Sequence, residues 1–318
     1  MELLTRSGTG GWALPVGSAL RYLARPGARQ RNDASVATEC NARRSGLSLP
    51  AGLSMQWLGT AGFALEHEGF RLLIDPFVTR PPLAQVARNA TLRTREQAVE
   101  QHLGRADAIL VGHTHYDHAM DIPAAARTAG CKVYGSQSMA TLMALSGLAE
   151  QTQVVDANRA FDLGPFKVTF VPSVHSKLVL GMKVNSEGEI TCDHLDSLNN
   201  RTYCCGQVWG IHLEVASRSF YHLGSANLIE DEMHFGPVDY LLCGIAGRGC
   251  TPAFMPRVLA ATQPAVIIPH HYDNFFLPLS SPMGFSFNVN LGGFVEDVHR
   301  HAPGTPVHTL EPLQSIGG

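Results

Sequence analysis

The sequence predicts an α/β fold in which two β-sheets pack face to face and helices cover their outer sides. Hydrophobic residues make up 45% and charged residues 16% of the 318 residues, which is enough apolar material for a large core. Strand-like segments come first in hairpins and then alternate with segments of helical spacing. This order occurs twice along the chain, which favours a fold built from two similar halves.

The first half begins with a run of strands. The segment MQWLGTAGFALEHEGFRLLIDP, from Met55, predicts three short strands separated by Gly59, Gly62 and Glu68 with Gly69. TREQAVEQHLG is polar and predicts a helix, and ADAILVG predicts a buried strand. IPAAARTAG and SQSMATLMALSGLA have helical spacing and flank the predicted strand KVYG.

The second half repeats this order. FDLGPFKVTFVPSVHS predicts a hairpin whose second strand ends at His175, and QVWGIHLEVASRSFYHLGSAN predicts another hairpin. Between them, residues 177–207 are polar and rich in turn residues, which indicates an insertion or a long loop. VDYLLCGIAG and AVIIPHHYDNF predict strands on either side of the helical segment TPAFMPRVLAATQP.

Residues 1–52 differ in composition from the rest of the chain. Glycine, alanine, arginine and serine dominate without a clear period, so we expect an N-terminal extension that is partly disordered or lies as an arm on the surface. An alternative is a basic amphipathic arm that binds lipid, formed by ALRYLARPGARQR. The main folded domain is predicted over residues 53–318.

Composition excludes several classes of function. A formal net charge of −3 and a pI near 6.6 give no general attraction to nucleic acid. Seven scattered cysteines without a C-x-x-C pair argue against a zinc ribbon and a disulfide scaffold, which favours a reducing, cytoplasmic location. No apolar run approaches the roughly 20 residues of a membrane span. The sequence leaves the oligomeric state open.

The segment VGHTHYDHAMD concentrates three histidines and two aspartates where a predicted strand ends. Because successive side chains of a strand point to opposite sides, His113 and His115 project the same way and can bind one metal ion. Asp117 and His118 follow where the chain turns and can face a second position. H-x-H-x-D-H between a strand and a helix is far more specific than a lone histidine.

Two further histidines end predicted strands elsewhere in the chain. His175 follows one apolar strand and His271 follows another. Together the histidines predict two metal positions, one formed by His113, His115 and His175, the other by Asp117, His118 and His271. His270 adjoins the second set but should face the opposite side, so it is left out.

The ordered motifs HTHYDH, the isolated His175, YHLGSAN and PHHYDN resemble those of the metallo-β-lactamase superfamily. The segment WLGTAGFALE…LLIDP is similar to the branch that contains L-ascorbate 6-phosphate lactonase and the N-acyl phosphatidylethanolamine phospholipase D enzymes. The resemblance covers about residues 54–275. It implies a four-layer αββα sandwich with a metal site at one edge of the sheets. It also implies six metal ligands: His113, His115, Asp117, His118, His175 and His271.

The chain departs from this family at one motif. YHLGSANL places Ser225 where the family normally has an aspartate that bridges two metals. A serine hydroxyl is a poor zinc ligand compared with a carboxylate, and the amide oxygen of Asn227 is a weak substitute. Without the bridging charge, repulsion between two dications is less compensated. We therefore expect weak or partial occupancy of one metal position.

Three other polar residues are candidates for supporting roles. Asp75 in LLIDP matches a family aspartate that lies beneath the metals and orients a ligand histidine, although a turn residue before Pro76 is the simpler alternative. His222 is either a similar supporting residue or a core residue. His194, in the polar insertion, is expected at the surface or at the rim of the site.

This site predicts a hydrolase that uses a metal-activated water, and the resemblance implies that Asp117 helps to hold and orient that water. The expected substrate is a small ester, lactone or phosphodiester, and the expected cofactor is one or two Zn²⁺ ions, with Mn²⁺ and Fe²⁺ also compatible. One alternative is a phospholipase D-like enzyme with an apolar groove formed by NFFLPLSSPMGFSF. The other is a metal-binding protein of the same fold that does not hydrolyse, because of Ser225.

Overall fold

The computed structural model describes residues 26–177, 186–287 and 289–318. Within these ranges the strands form two sheets that pack face to face, with helices outside. The predicted α/β sandwich is confirmed.

The first sheet is formed by the N-terminal half and the last strand of the chain. Its order is β13-β1-β2-β3-β4-β5-β6. Strands β1, β2 and β3 are antiparallel, whereas β3 to β6 run parallel. The bounds are β1 Leu53–Gly59, β2 Gly62–His67, β3 Phe70–Ile74, β4 Ala108–Leu110, β5 Lys132–Gly135, β6 Thr152–Val154 and β13 Ser315–Gly317.

The second sheet has the order β12-β11-β10-β9-β8-β7. Strands β7 to β10 are antiparallel, and β10, β11 and β12 are parallel. The bounds are β7 Ala160–Leu163, β8 Phe166–Ser173, β9 Val208–Val215, β10 Arg218–Leu223, β11 Tyr240–Gly244 and β12 Val266–His270. The second strand of the first predicted hairpin therefore ends at Ser173, two residues before His175.

Helices connect the parallel strands and cover the outer faces. Their bounds are α1 Pro26–Glu39, α2 Ala42–Ser45, α3 Leu83–Ala87, α4 Glu96–His102, α5 Tyr116–Ala119, α6 Ile122–Ala129, α7 Gln137–Leu145, α8 Phe254–Thr262 and α9 Leu291–His301. Short 3₁₀ turns lie at Ala149–Gln151, Leu195–Ser197, Glu230–Glu232 and Arg248–Cys250. No helix in the described part of the chain is both long and apolar enough to cross a membrane.

Side-chain alternation divides the core into two layers. In β3, Leu72 and Ile74 point into the space between the sheets, whereas Leu73 points outward to the helices of the first half. In β4, Leu110 belongs to the first layer and Ile109 to the second. Because β4 is buried on both faces, its sequence AIL is wholly apolar.

The described part of the predicted extension is helical and packs on the domain. Helix α1 contacts α9, where the Asp33 carboxylate accepts a hydrogen bond from the Gly292 N–H at 3.0 Å. Ala37 and Ala42 belong to the same apolar cluster as the sheets. Residues 1–25, with half of the proposed lipid-binding arm, lie outside the described ranges. The division of the chain at residue 52 stays a prediction.

Candidate metal centre

Five strand ends meet at one edge of the two sheets and supply the polar side chains. Asp75 follows β3, the segment 111–115 follows β4, His175 lies just beyond β8, Ser225 lies just beyond β10, and His271 follows β12. Each of these strands points the same way within its sheet, so their carboxyl ends share an edge. Sites in open α/β sheets form at such edges.

The first group of side chains consists of three histidines. The ring centroids lie 4.8 Å apart for His113 and His115, 4.9 Å for His113 and His175, and 4.6 Å for His115 and His175. One nitrogen from each ring falls within a sphere in which all ligand atoms are within 4.8 Å of one another. Three imidazoles at these distances could hold one cation.

The second group consists of Asp117, His118 and His271, whose ligand atoms also lie within 4.8 Å of one another. Asp117 Oδ2 lies 3.2 Å from His271 Nε2 and 3.9 Å from His118 Nε2. The rings of His113 and His118 are 3.8 Å apart, so the two groups adjoin. The structure thus brings together both sets of side chains that the sequence predicts.

Asp75 lies beneath both groups. Its Oδ2 accepts a hydrogen bond from His118 Nδ1 at 2.8 Å, and its Oδ1 accepts one from the Gly112 N–H at 2.6 Å. A Cβ at Gly112 would lie 3.0 Å from Asp75 Oδ2, so the glycine makes room for the carboxylate. This hydrogen bond directs the Nε2 lone pair of His118 toward the other two members of the second group, Asp117 and His271.

Asp75 and His271 have strained backbones. Their φ angles are 43° and 61°, in the left-handed region that residues other than glycine seldom occupy. Each costs about 1–3 kcal/mol, and such strain is concentrated at functional sites.

Electrostatic coupling between these side chains shifts their pKa values. Burial, reinforced by His118 and His115, holds the pKa of His113 well below its ordinary value, and burial lowers the pKa of His175 to about 3. Although burial raises the pKa of Asp117, His118 and His271 lower it below the usual range. Burial lowers the pKa of His118, but Asp75 and Asp117 outweigh it and raise that pKa. His113 and His175 are therefore neutral imidazoles, the form that binds metals.

Several buried ring nitrogens of the cluster have hydrogen-bonding capacity that the described residues leave unused. Both ring nitrogens of His113 are buried and have no hydrogen-bond partner among the described residues, and the same holds for His271 Nδ1. A buried, unsatisfied polar group costs about 1–3 kcal/mol. A divalent cation between the rings would satisfy a lone pair of His113, so the residues present fit a metal.

Ser225 and Asn227 differ in their relation to the cluster. Ser225 is buried and borders the cavity above the cluster, and its Oγ accepts a hydrogen bond from the Ser176 N–H at 3.0 Å. The Asn227 amide oxygen instead accepts from the Leu228 N–H at 3.0 Å and lies 3.4 Å from an Arg257 nitrogen. The suggestion that Asn227 supplies a ligand oxygen is not supported, because that oxygen is committed outside the cluster.

The remaining candidate histidines separate clearly. His222 is fully buried, its Nε2 lies 2.9 Å from the Ala61 carbonyl oxygen, and burial lowers its pKa. Its ring stacks on His270 with the centroids 4.9 Å apart, and both rings contact Phe63 edge-on. His270 therefore faces away from the cluster, as predicted from alternation. His194 is exposed, with 78% of its side chain accessible.

A buried ion pair supports His271, and sequence analysis did not predict it. Arg80 contacts Asp273, with the two side chains 3% and 1% exposed. Asp273 Oδ1 accepts from the Thr60 N–H at 2.9 Å, and the Thr60 carbonyl accepts from the His271 N–H at 2.8 Å. Gly59 leaves space for the guanidinium, which would lie 1.8 Å from a Cβ there. The contact joins residues 193 positions apart, so no local pattern marks it.

A cavity of about 250 Å³ opens above the cluster. Its polar lining includes His115, Asp117, His118, His175 and His271. The rest of its lining is mostly apolar and includes Val86, Tyr116, Ala246, Phe275 and Phe276. The cavity gives a small molecule access to the cluster.

Comparison with known proteins identifies the family of this fold and cluster. Residues 54–271 match the family described as the beta-lactamase superfamily domain. The chain belongs to this superfamily.

Individual relatives are more distant. The chain is 27% identical over 227 residues to a UPF0173 metal-dependent hydrolase of Carboxydothermus hydrogenoformans, covering 70% of this chain and 86% of that protein. It is 27% identical over 263 residues to one of Archaeoglobus fulgidus, covering 79% and 97%. Among solved structures, Igni18, a metallo hydrolase of Ignicoccus hospitalis, aligns with a TM-score of 0.53 at 18% identity over 83% and 97% of the two chains. That structural likeness concerns the fold alone.

Removal of one partner from the Arg80–Asp273 pair is expected to destabilise the protein strongly. Arg80→Met leaves a buried carboxylate without its cation, and we expect the free energy of unfolding in urea to fall by about 3–5 kcal/mol. The double variant Arg80→Met with Asp273→Asn should recover part of this loss. As a control, Arg93→Met breaks the pair with Asp196, whose side chains are 74% and 75% exposed, and should cost less than about 1 kcal/mol. Equal effects of the two single variants would contradict the buried role.

Proposed function

We propose that this chain is a zinc-dependent hydrolase of a small ester, lactone or phosphodiester. The broader class, a metal-dependent hydrolase, is the one named for the curated relatives. The observation that carries the proposal is the convergence of the two groups of ligand atoms, each group within 4.8 Å of one another, beside a cavity that five of the six residues border. Manganese and iron also bind such ligands, so elemental analysis of the purified protein is needed to identify the metal.

The proposed ligands divide as the two groups do. His113, His115 and His175 would hold one cation, and Asp117, His118 and His271 would hold another. Asp75 would act through His118, because its hydrogen bond fixes the ring direction and leaves Nε2 free to bind. His222 shares the neighbourhood of Asp75, but its Nε2 contacts the Ala61 carbonyl, which favours a core role.

When bound, a divalent cation makes water acidic enough to act as a nucleophile near neutral pH and polarises the bond to be cleaved. The chain's own residues then orient the reactants. Asp117 is the proposed catalytic residue: it borders the cavity, and its lowered pKa keeps it ionised, so it can accept a hydrogen bond from the attacking water. The apolar residues of the lining reduce contact with bulk water, which strengthens these interactions.

The narrower functions inferred from the sequence have less support. The names of the relatives do not point to the lactonase and phospholipase D branch, because those proteins are called UPF0173 metal-dependent hydrolases. The phospholipase hypothesis is not favoured, because a cavity of about 250 Å³ is small for lipid head groups with their chains. A non-hydrolytic role is not favoured by the relatives' names. A cytoplasmic location stays a prediction.

The direct test of the proposal is hydrolysis by the metal-loaded protein. We expect metal-dependent turnover of at least one substrate in a panel of aryl esters, lactones and phosphodiesters. His115→Ala should reduce it by at least about 100-fold, because the first cation loses one of three protein ligands. His194→Ala, at an exposed histidine, should leave turnover unchanged. A fully metal-loaded protein that hydrolyses nothing would contradict the proposal.

The positioning role of Asp75 is tested by metal affinity rather than activity. Asp75→Asn replaces one acceptor by an amide donor, which forces His118 toward the tautomer whose Nε2 carries the proton. We expect zinc affinity, measured by competition with a chromophoric chelator, to fall about 10–100-fold. Asp162→Asn, at an exposed position of β7, serves as the matched control. Unchanged affinity in Asp75→Asn would exclude this role.

The identity of residue 225 predicts metal stoichiometry. Because serine supplies no bridging charge, we expect one tightly bound metal per chain by elemental analysis after gel filtration. Ser225→Asp adds a carboxylate beside both groups and should raise the stoichiometry toward two. Two tightly bound metals in the unaltered protein would refute this expectation.

A further inference from the structure

The cavity above the cluster has an aromatic wall that the proposed chemistry does not use. Phe275 and Phe276 border the cavity, and their ring centroids are 4.6 Å apart. Both side chains are only partly buried, so each presents apolar ring surface to the cavity. This wall stands next to the cluster, because the rings of Phe275 and His271 are 5.4 Å apart and nearly perpendicular.

The aromatic wall is anchored from behind. Phe77 is fully buried and contacts Phe275 edge-on, with the ring centroids 6.4 Å apart. Phe77 also contacts Tyr116, which borders the same cavity, at 6.1 Å. Perpendicular and tilted ring pairs of this kind have favourable quadrupole interactions. The orientation of Phe275 is therefore fixed by packing rather than by solvent.

Hydrogen bonds hold the turn that carries the two rings. The Asn274 amide oxygen accepts from the Phe276 N–H at 3.2 Å, and the Asn274 carbonyl accepts from the Leu277 N–H at 3.0 Å. The Asn274 N–H in turn donates to the Gly284 carbonyl at 2.8 Å. A wall fixed in this way costs little ordering entropy when a ligand packs against it.

Charge on the cavity lining is confined to the cluster. No lysine or arginine borders the cavity within the described ranges, and the neutral polar groups there include Asn200 and Ser225. Because Ser225 Oγ already accepts from the Ser176 N–H, its own hydrogen is available to donate. Beyond the proposed metal ligands, the described part of the lining thus offers ring faces and neutral hydrogen-bonding groups.

We propose that the substrate carries an aromatic or similarly flat group next to the scissile bond, and that this group packs on Phe275 and Phe276. This inference rests on the proposed function and narrows its substrate class. A volume of about 250 Å³ lies below the roughly 300–1,000 Å³ of sites for drug-sized ligands, so the molecule has one such group rather than several.

Binding tests this inference independently of turnover. Acetanilide, an aryl amide, and N-cyclohexylacetamide, which replaces its flat ring by a puckered one, are titrated into zinc-loaded full-length protein by calorimetry. We expect acetanilide to bind at least about three-fold more tightly, because only a flat aromatic ring can stack on Phe275 and Phe276. We expect Phe276→Ala to weaken acetanilide about 3- to 30-fold, because an aromatic contact and its apolar area are lost. Phe287→Ala, at a 66% exposed phenylalanine that does not border the cavity, should have no effect.

Turnover distinguishes this inference from the proposed function. For phenyl acetate, Phe276→Ala should raise KM by the same factor with little change in kcat, whereas trifluoroethyl acetate, which has no ring, should be unaffected. Equal binding of acetanilide and N-cyclohexylacetamide, or an equal effect of Phe276→Ala on both esters, would overturn the substrate class while leaving the hydrolase proposal intact. Preferential binding of acetanilide without hydrolysis of any ester, lactone or phosphodiester would support the aromatic site and count against the proposed function.

Discussion

The central constraint on this structure is the burial of imidazole nitrogens that have no hydrogen-bond partner among the described residues. Packing places His113 beneath the other members of the cluster, and desolvation keeps it neutral. Neutral rings avoid the cost of buried positive charge, but their lone pairs stay unsatisfied within the described residues. Strained conformations at Asp75 and His271 add to that cost. A bound cation would offset this cost. The geometry that makes the cluster costly without a cation is therefore the same geometry that favours metal binding.

Sequence reasoning could predict the parts of the fold that local patterns determine. Alternation and turn residues correctly placed the strands from β1 to β5, because each is a short apolar run bounded by glycine or polar residues. The same reasoning oriented His270 away from the cluster. Helix α1 was not predicted, since its sequence lacks an apolar stripe. Its position depends instead on a distant contact between Asp33 and the start of α9.

The candidate site was partly predictable for the same reason. His113, His115, Asp117 and His118 lie within six positions, so spacing alone indicates a shared target. The Arg80–Asp273 pair and the hydrogen bond from Asp75 to His118 connect segments that are far apart in sequence, and only the fold brings them together. Ser225 illustrates the reverse case. Its departure from the family motif is visible in the sequence, whereas its bond to the Ser176 N–H is visible only in the structure.

The most direct test of metal binding by the cluster is an anomalous-scattering map of crystals grown with zinc. We predict a strong peak among His113, His115 and His175, about 2.0–2.1 Å from one nitrogen of each ring. No peak among these three rings at saturating zinc, with zinc bound elsewhere on the chain, would contradict it.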